Sequence, residues 1–314
     1  MYIKNINSLQ SKKPIVIFLM GPTACGKSTL AVYLKKYLPI ELISVDSAAI
    51  YRGMDIGTDK PNIHDLSTHT YRLLNIKDPS ENYSAAEFRQ DALKEINYII
   101  KLGKTPLLVG GTMFYYHVLL HGLSSLPSSN TKLRKYLLEN NQKKFFLHNK
   151  LTLIDPISAK RIHKNDLQRT LRALEIFYLT GKTLTELKNS HLNKLPYNIF
   201  QFSVLPPSRE WLNYQIERRI KNMLIMGFQK EVELLFFRGD LHINLSSIRC
   251  IGYRQMWQYL EYQFNYKEMF NQIVYATRTL AKNQLTWLKK WENVDQTLCN
   301  SNPKILLEKM LRIF

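Results

Sequence analysis

The chain has 314 residues, of which 45% are hydrophobic and 22% charged, values typical of a globular protein with a sizeable core. Lysine and arginine number 44 against 25 acidic residues, and the formal net charge of +19 predicts a polyanionic partner. No stretch approaches the roughly 18 apolar residues of a membrane span, which favours nucleic acid as the partner. Three widely spaced cysteines predict neither a disulfide framework nor a zinc site, which favours a reducing cytoplasm.

The first part of the chain alternates strand and helix signals. Ile15–Met20 is an apolar run typical of a doubly buried strand, and Ser28–Leu38 carries leucines at helical spacing until Pro39 ends it. Glu41–Asp46 and Leu107–Val109 predict two further strands. This alternation predicts an α/β fold, with helices on the faces of a parallel sheet.

A helix is predicted between the second and third of these strands. Ser84 is followed three residues later by Glu87, a spacing that forms a capping box at a helix N-terminus. Apolar residues then recur on one face until Gly103, a residue type that commonly ends a helix.

Residues 122–196 contain helical patterns and no convincing strand. Asp155 followed by proline predicts a helix start, and Asn165–Thr180 followed by Gly181 predicts a longer helix. We therefore predict a helical insertion over residues 122–196.

The remainder of the chain returns to the sheet and then becomes helical. The stretch "FQFSVLPPS" at residues 200–208 predicts one more strand. Helical patterns follow at Ser208–Met226, Gln229–Arg238, Ser247–Gln263 and Tyr266–Trp291. The predicted core therefore combines residues 1–121 with residues 197–314.

The stretch "GPTACGKSTL" lies between the first predicted strand and the first predicted helix and matches the pattern G-x4-G-K-[ST] from Gly21 to Ser28. In such loops backbone N–H groups line a concavity, the helix N-terminus adds positive potential, Lys27 supplies a mobile charge and the Ser28 hydroxyl can bind Mg²⁺. These loops usually bind ATP or GTP. The pattern nevertheless specifies a di- or triphosphate and not a nucleotide.

Asp46 ends the second predicted strand, at the edge where ligands gather in doubly wound sheets. Its position is compatible with three roles: a general base, an outer-sphere Mg²⁺ ligand, or an acceptor that caps the following loop. The strand Leu107–Val109 ends in Gly110-Gly111-Thr112, where an ATPase usually places the acid that holds Mg²⁺. ATP hydrolysis therefore lacks a usual part.

Two further positions could face the same crevice. Thr112 opens the apolar stretch "TMFYYHVLL", where it could act on a ligand or serve as a plain N-cap. Arg218 and Arg219 lie in "IERRIKNML", where either could close over a phosphate or simply face solvent. Composition does not choose between these alternatives.

Three groups of basic residues could contact RNA. They lie in "RIHKNDLQRTLR" at residues 161–172, in "RCIGYRQMW" at residues 249–257, and at Arg278, Lys282 and Lys289 of the last long helix. Basic side chains near aromatic ones suit phosphate contacts combined with base stacking. Each group alone also fits a solvated helix face, and a coding bias towards lysine would raise the charge as well, but the three groups together favour nucleic acid.

Seven stretches of this chain resemble, in the same order, those of bacterial tRNA dimethylallyltransferases, also called tRNA isopentenyltransferases. They are "GPTACGKSTLA", "ELISVDSAAIYRGMDIGTDKP", "YSAAEFRQDAL", "LLVGGTMFYY", "LQRTLRALEIFYLTGKTLTEL", "SIRCIGYRQMWQYL" and "LAKNQLTWLKKW". The resemblance runs from about residue 14 to residue 291. It implies a P-loop NTPase-like parallel-sheet core with an inserted α-helical domain that binds tRNA at its anticodon arm.

The resemblance also implies a reaction. A dimethylallyl group would pass from dimethylallyl diphosphate to N6 of adenosine 37 in tRNAs that read codons beginning with U. The products would be N6-dimethylallyladenosine and diphosphate, and Mg²⁺ would be the cofactor. Because the adenine amine is a poor nucleophile, a base must take its proton as the new bond forms.

The resemblance further implies roles for individual residues. Asp46 would be the general base, Thr112 and Arg219 would assist at the diphosphate and the reacting amine, and Ser28 would bind the metal. The donor diphosphate would lie on Gly21, Pro22, Thr23, Ala24, Cys25, Gly26, Lys27 and Ser28. Contacts with tRNA would come from Asp46, Ser47, Ala48, Ala49, Thr112, Arg134, Gln168, Arg169, Thr170, Leu171, Arg172, Arg249, Cys250, Ile251, Gly252, Tyr253, Arg254, Lys282, Asn283, Gln284, Leu285, Thr286, Trp287, Leu288 and Lys289.

Two other functions fit part of the sequence. A P-loop kinase for a nucleoside or another small molecule would use the loop for ATP and Asp46 to deprotonate a hydroxyl. A non-catalytic RNA-binding protein would use the loop only as an anion site. The kinase explains the basic C-terminal half and the helical insertion less well, so we expect a cytoplasmic, monomeric transferase whose partners are tRNA and dimethylallyl diphosphate, with no membrane partner.

Overall fold

The computed structural model describes residues 13–61, 71–123, 126–139, 145–187 and 195–314. In this part of the chain six strands form one sheet in the order β3-β2-β4-β1-β5-β6, and every neighbouring pair is parallel. The strands are β1 (Ile15–Met20), β2 (Ile40–Val45), β3 (Tyr71–Arg72), β4 (Thr105–Gly110), β5 (Asn198–Leu205) and β6 (Asp295–Leu298). The predicted α/β class is confirmed.

Thirteen helices are seen in the described residues. In the first half they are α1 (Lys27–Lys35), α2 (Ala85–Lys101), α3 (Met113–His121), α4 (Thr131–Glu139), α5 (Phe146–Ile154), α6 (Pro156–Arg161), α7 (Leu167–Thr180) and α8 (Leu184–Leu187). In the second half they are α9 (Arg209–Ile225), α10 (Phe228–Phe236), α11 (Tyr253–Leu260), α12 (Tyr266–Lys289) and α13 (Pro303–Leu311). None of these helices is both long and apolar enough to cross a membrane.

Local signals in the sequence placed several helix ends correctly. At the start of α2 the Ser84 hydroxyl accepts from the Glu87 N–H at 3.2 Å, and the Glu87 carboxylate accepts from the Ser84 N–H at 2.8 Å. Asp155 likewise accepts from the Ser158 N–H at the start of α6. These bonds satisfy N–H groups that have no partner inside the helix.

One helix begins later than its pattern predicts, and several elements were not predicted. The segment expected to be helical from Ser247 is helical only from Tyr253, because Gly252 has a φ of 93°, a conformation outside the α-helical region. The two-residue β3 and the largely exposed β6 are edge strands. Their short, polar sequences carry little hydrophobic pattern, so the sequence offers no signal for them.

The central strands are covered on both sides. All residues of β2 are buried, as are five of the six residues in both β1 and β4. Parallel strands with helices on both faces read as continuous apolar runs for this reason. Gly110 ends β4 where it lies against β2, because a Cβ at this position would overlap the Val45 carbonyl group. The glycine therefore allows the two strand ends to approach each other closely.

The chain divides into two compact units. The first comprises Met1–Leu119 and Leu195–Phe314 and contains the whole sheet, and the second is Leu120–Lys194. Each unit has its own hydrophobic core, and that of the second unit is built around Leu147, Leu151 and Leu174. Residues 124–125, 140–144 and 188–194 of the predicted insertion lie outside the described residues.

Candidate functional site

The loop Gly21–Ser28 joins β1 to α1 at the carboxyl edge of the sheet. Ala24 and Gly26 have φ values of 64° and 68°, in the left-handed region. Backbone turns that include such residues point successive N–H groups to one side and create a concavity for an anion. The Lys27 ammonium donates to the Pro22 carbonyl at 2.7 Å and so lies over the loop. The loop therefore has the geometry of a phosphate-binding site.

The charge on Lys27 is sensitive to its surroundings. Burial lowers the pKa of Lys27 to about 8, and the nearby Arg219 guanidinium acts in the same direction. A bound polyanion would oppose both effects and keep the ammonium protonated. Burial also raises the pKa of the neighbouring Cys25 thiol to about 12, so this cysteine stays protonated and unreactive.

Asp46 lies directly after β2, at the same edge of the sheet. Its Oδ1 accepts from the N–H groups of Ala48 at 2.8 Å and Ala49 at 3.1 Å. The aspartate therefore caps the following loop, one of the three roles that its position allowed. Within the described part of the chain, Oδ2 makes no further hydrogen bond or ion pair, so the carboxylate also keeps an oxygen for a substrate proton or a hydrated metal.

Thr112 links the ends of two neighbouring strands. Its N–H donates to the Val45 carbonyl at 3.3 Å, and its Oγ1 accepts from the Ser47 N–H at 3.2 Å. The Tyr115 N–H, which an N-cap hydroxyl would accept, donates instead to the Thr112 carbonyl at 2.9 Å. The hydroxyl therefore positions the segment that follows Asp46, and the interpretation of Thr112 as a plain N-cap is wrong.

The structure separates the two arginines that the sequence left equivalent. The Nη1 of Arg219 donates to the Thr23 hydroxyl at 2.8 Å and lies 3.4 Å from the Asp59 carboxylate. Arg218 is exposed on the same helix. Of the two arginines, Arg219 is therefore the one that hydrogen-bonds with the loop Gly21–Ser28.

A cavity of about 270 Å³ opens beside the loop. Methionine and isoleucine side chains line it together with charged and amide side chains. The lining residues are Ala24, Gly26, Asp55, Ile56, Asp59, Lys60, Gln215, Arg218, Arg219, Asn222, Met223 and Met226. Such a mixture can accept a ligand that has both a charged and an apolar part.

Glu231 of α10 is a positioning residue that the sequence did not reveal. Its carboxylate accepts from three consecutive backbone N–H groups, those of Asp55 at 2.9 Å, Ile56 at 2.7 Å and Gly57 at 3.1 Å. It also accepts from the Tyr253 hydroxyl at 2.6 Å. The first three bonds hold the segment that carries three of the cavity's charged residues, Asp55, Asp59 and Lys60, and the fourth orients the carboxylate.

The residues present fit a magnesium ion that arrives with a polyphosphate. The described residues contain no group of three or more His, Cys, Asp and Glu side chains arranged to hold a metal. Ser28 is exposed at the start of α1, and its hydroxyl lies near that of Tyr71. Because Mg²⁺ is commonly held by few protein groups together with phosphate oxygens and water, the Ser28 hydroxyl is a suitable protein ligand.

The RNA-contact residues expected in the first unit differ in how far they are exposed. The side chains of Arg249, Arg254, Lys282, Asn283 and Lys289 are exposed and available to a polyanion. Others are buried, so their side chains are not available to RNA in this structure. The buried residues are Ala49, Gly252, Tyr253, Gln284 and Leu288. Gly252 has no side chain, and the side chains of the other four residues are buried in the first unit.

In the second unit a buried carboxylate organises two of the expected RNA-contact arginines. Glu175 is fully buried and accepts from Arg134 through two nitrogens, both at 2.9 Å. It also accepts from Arg172 at 2.6 Å. Both arginine side chains are therefore held in fixed positions while remaining about one-third exposed.

The helix α7 that carries Arg172 has an exposed and a buried face. Gln168 and Arg169 are exposed, whereas Thr170 and Leu171 lie in the core of the second unit. The side chains of Thr170 and Leu171 are therefore not available to RNA in this structure. The exposed residues remain candidates.

Comparison with known proteins identifies the family. A family model described as IPP transferase matches residues 49–291. A tRNA dimethylallyltransferase of Buchnera aphidicola subsp. Acyrthosiphon pisum (strain APS) is 69% identical over 302 residues, which cover 96% of each chain. The chain belongs to the tRNA dimethylallyltransferase family. A second such protein, from Buchnera aphidicola subsp. Baizongia pistaciae (strain Bp), is 56% identical over 305 residues, covering 96% of this chain and 94% of that protein.

Solved structures agree with this family assignment. The full-length tRNA isopentenylpyrophosphate transferase of Bacillus halodurans is 33% identical with a TM-score of 0.70, covering 96% of this chain and 95% of that one. A eukaryotic dimethylallyltransferase described as acting on tRNA is 25% identical with a TM-score of 0.77, covering 91% and 74% of the two chains. The predicted family, the P-loop-like fold with its helical domain and the enzyme class are therefore confirmed for this tRNA dimethylallyltransferase family member.

Proposed function

We propose that this chain transfers a dimethylallyl group from dimethylallyl diphosphate to N6 of adenosine 37, in tRNAs that read codons beginning with U. The observation that carries the proposal is that two features lie at the same edge of the sheet. One is the loop Gly21–Ser28, which has the geometry of a phosphate-binding site, and the other is Asp46, whose Oδ2 makes no hydrogen bond within the described residues. The names of the relatives support the same reaction. The two products are N6-dimethylallyladenosine and diphosphate.

The loop Gly21–Ser28 acts on the donor. As the carbon–oxygen bond of dimethylallyl diphosphate breaks, negative charge grows on the leaving diphosphate. Backbone N–H groups of the loop, the Lys27 ammonium and Arg219 are placed to stabilise this charge. A Mg²⁺ ion held by Ser28 and the phosphate oxygens would supply further positive charge to the leaving group. The apolar side chains of the neighbouring cavity suit the five-carbon chain.

Asp46 acts on the acceptor. The N6 amine is a weak nucleophile because its lone pair is delocalised into the adenine ring. As the N6–C1 bond forms and the C1–O bond breaks, Oδ2 of Asp46 takes the amine proton and diphosphate departs. Thr112 holds the segment after Asp46 through its bond with the Ser47 N–H, which supports the orientation of the carboxylate.

The target base has to leave the anticodon stack to reach a site at a sheet edge, as in other enzymes that modify bases. Exposed basic side chains in both units are available to the RNA backbone. Contacts of this kind orient RNA without reading its sequence. We further propose that the chain works as a monomer in the cytoplasm, which sedimentation of the purified protein and fractionation of cells would test.

The decisive experiment measures transfer directly. The protein is incubated with an adenosine-37-containing tRNA, dimethylallyl diphosphate and Mg²⁺, and the digested tRNA is analysed by mass spectrometry. We expect a five-carbon addition to adenosine, confined to position 37. Consumption of ATP on a small acceptor without that addition would establish a kinase instead, and RNA binding with neither reaction would establish a binding protein.

The lowered pKa of Lys27 predicts a pH dependence of donor binding. The ammonium binds diphosphate and the neutral amine does not, so the Kd for dimethylallyl diphosphate without tRNA should rise about tenfold or more between pH 7 and pH 9.5, with the change beginning near pH 8. The donor's own phosphate, with a pKa of about 6, is fully ionised over this range. Isothermal titration calorimetry provides the measurement, and Lys27→Met is the control, which should bind weakly at every pH. An equal slope in both proteins would contradict the role of Lys27.

Reversing the charge of Lys282 and Lys289 tests whether α12 contacts tRNA. Lys282 and Lys289 are exposed, so the double variant Lys282→Glu/Lys289→Glu should weaken tRNA binding and lower the slope of log K against log salt by about 1 to 2. Donor affinity should stay within about twofold, since neither residue contacts the loop Gly21–Ser28. Fluorescence anisotropy with labelled tRNA at several salt concentrations measures the slope. An unchanged slope would show that this face is merely solvated.

A further inference from the structure

Gln284 lies within the basic segment of α12, yet its side chain is only 7% exposed and faces inward. Its Oε1 accepts from the Thr23 N–H at 2.9 Å. Its Nε2 donates to the Gly111 carbonyl at 2.9 Å. One amide therefore joins the donor loop after β1 to the residue that follows β4 and precedes Thr112.

This position requires both functions of a glutamine amide. An N–H group lies on one side and a carbonyl on the other, so the side chain has to accept at one end and donate at the other. Methionine has a similar shape but does neither well, and glutamate keeps only the acceptor. Gly111 is also required, because a Cβ there would overlap the Gln284 Nε2 and would lie 3.2 Å from the Gly21 carbonyl oxygen.

Thr23 is held from two directions. Its N–H is bonded to Gln284, and its hydroxyl accepts from Arg219 at 2.8 Å. Because the backbone and the side chain of one loop residue are both fixed, the concavity next to it is formed before any anion binds. A preformed site does not have to be ordered at the moment of binding, and this raises affinity for the ligand.

We propose that Gln284 is a positioning residue that braces the loop Gly21–Ser28 against the end of β4, and so sets the affinity for the donor diphosphate and not the affinity for tRNA. The inference rests on the proposed function for the identity of the donor. It assigns the buried Gln284 a role different from that of the exposed Lys282 and Asn283 on the same turn, whose side chains remain free for RNA.

The test uses Gln284→Met, with Gln296→Met as the matched control on the exposed strand β6. Without tRNA, we expect the Kd of Gln284→Met for dimethylallyl diphosphate to rise about tenfold, because a loop N–H and a carbonyl each lose a partner. The KM for the donor should rise in parallel, kcat should change less, and the Kd for tRNA should stay within about twofold. Hydrogen exchange of peptides covering residues 20–27 should become faster, while Gln296→Met should match the wild type in all five quantities.

Two further variants ensure that the test does not depend on Gln284→Met alone. Gly111→Ala should reproduce the weaker donor binding by displacing the amide from the other side, and its effect should not add to that of Gln284→Met, since both remove the same brace. Gln284→Glu should bind the donor more weakly than Gln284→Met, because it adds negative charge beside the diphosphate site.

Unchanged donor affinity and loop exchange in Gln284→Met, together with weaker tRNA binding, would overturn the inference and make Gln284 an RNA contact. Failure of the proposed function has a different signature. In that case the wild type itself would neither bind dimethylallyl diphosphate nor modify tRNA, while hydrogen exchange of residues 20–27 would still report whether the brace exists.

Discussion

Replacing Asp46 by asparagine is expected to lower the rate of dimethylallyl transfer by about 10²-fold to 10⁴-fold while tRNA affinity stays within several-fold. Asparagine keeps a side-chain oxygen that can accept from the Ala48 and Ala49 N–H groups, so the loop should keep its shape. It cannot take the proton of the N6 amine. Single-turnover transfer with saturating donor, followed by mass spectrometry of the tRNA, measures the effect.

This substitution separates the three roles that the position of Asp46 allows. If the aspartate only caps its loop, Asp46→Asn should transfer at a near-normal rate and Asp46→Ala should not. If it acts through a hydrated Mg²⁺, the defect of Asp46→Asn should shrink as the Mg²⁺ concentration is raised. A large loss in both variants that Mg²⁺ does not relieve is the result expected of a general base.

Replacing Glu175 by alanine should destabilise the second unit by about 3 kcal/mol or more, because it leaves Arg134 and Arg172 without the buried carboxylate that holds them. The matched control is Glu139→Ala in the same unit. Glu139 is exposed, and its carboxylate lies 3.9 Å from the Lys135 ammonium, so this variant should lose less than about 0.5 kcal/mol. Urea titration, with hydrogen exchange of peptides from α4 and α7 as the readout, measures the unfolding of the second unit separately from that of the first.

The same carboxylate makes the stability of the second unit depend on pH. Burial alone would raise the pKa of Glu175, but the bonds from Arg134 and Arg172 lower it below its ordinary value. The stabilisation is therefore fully present above about pH 4.3, the unfolded value, and is lost as the pH falls through the lower folded value. Equal losses of stability for Glu175→Ala and Glu139→Ala, or the absence of this acid dependence, would contradict a structural role for Glu175.

The sequence by itself determined the features that depend on residues close together in the chain. The capping box of Ser84 and Glu87, the apolar strands, and the loop Gly21–Ser28 each follow from patterns of a few residues, because capping, burial on a sheet and backbone turns are local. The seven stretches that resemble the family pointed to the transferase, and the comparisons confirmed the family and the enzyme class.

Only the tertiary structure decided which side chains meet. The partners Thr23 and Gln284 are 261 residues apart, and Asp55 and Glu231 are 176 residues apart. No local pattern encodes such pairs, because they depend on how the strands and helices pack. For the same reason the sequence could not show whether Arg218 or Arg219 contacts the loop Gly21–Ser28. It also predicted Gln284 and Tyr253 as RNA contacts, although both are buried. Helix direction and burial, which are set by the whole fold, turn Asn283 outward to solvent and Gln284 inward to the loop Gly21–Ser28.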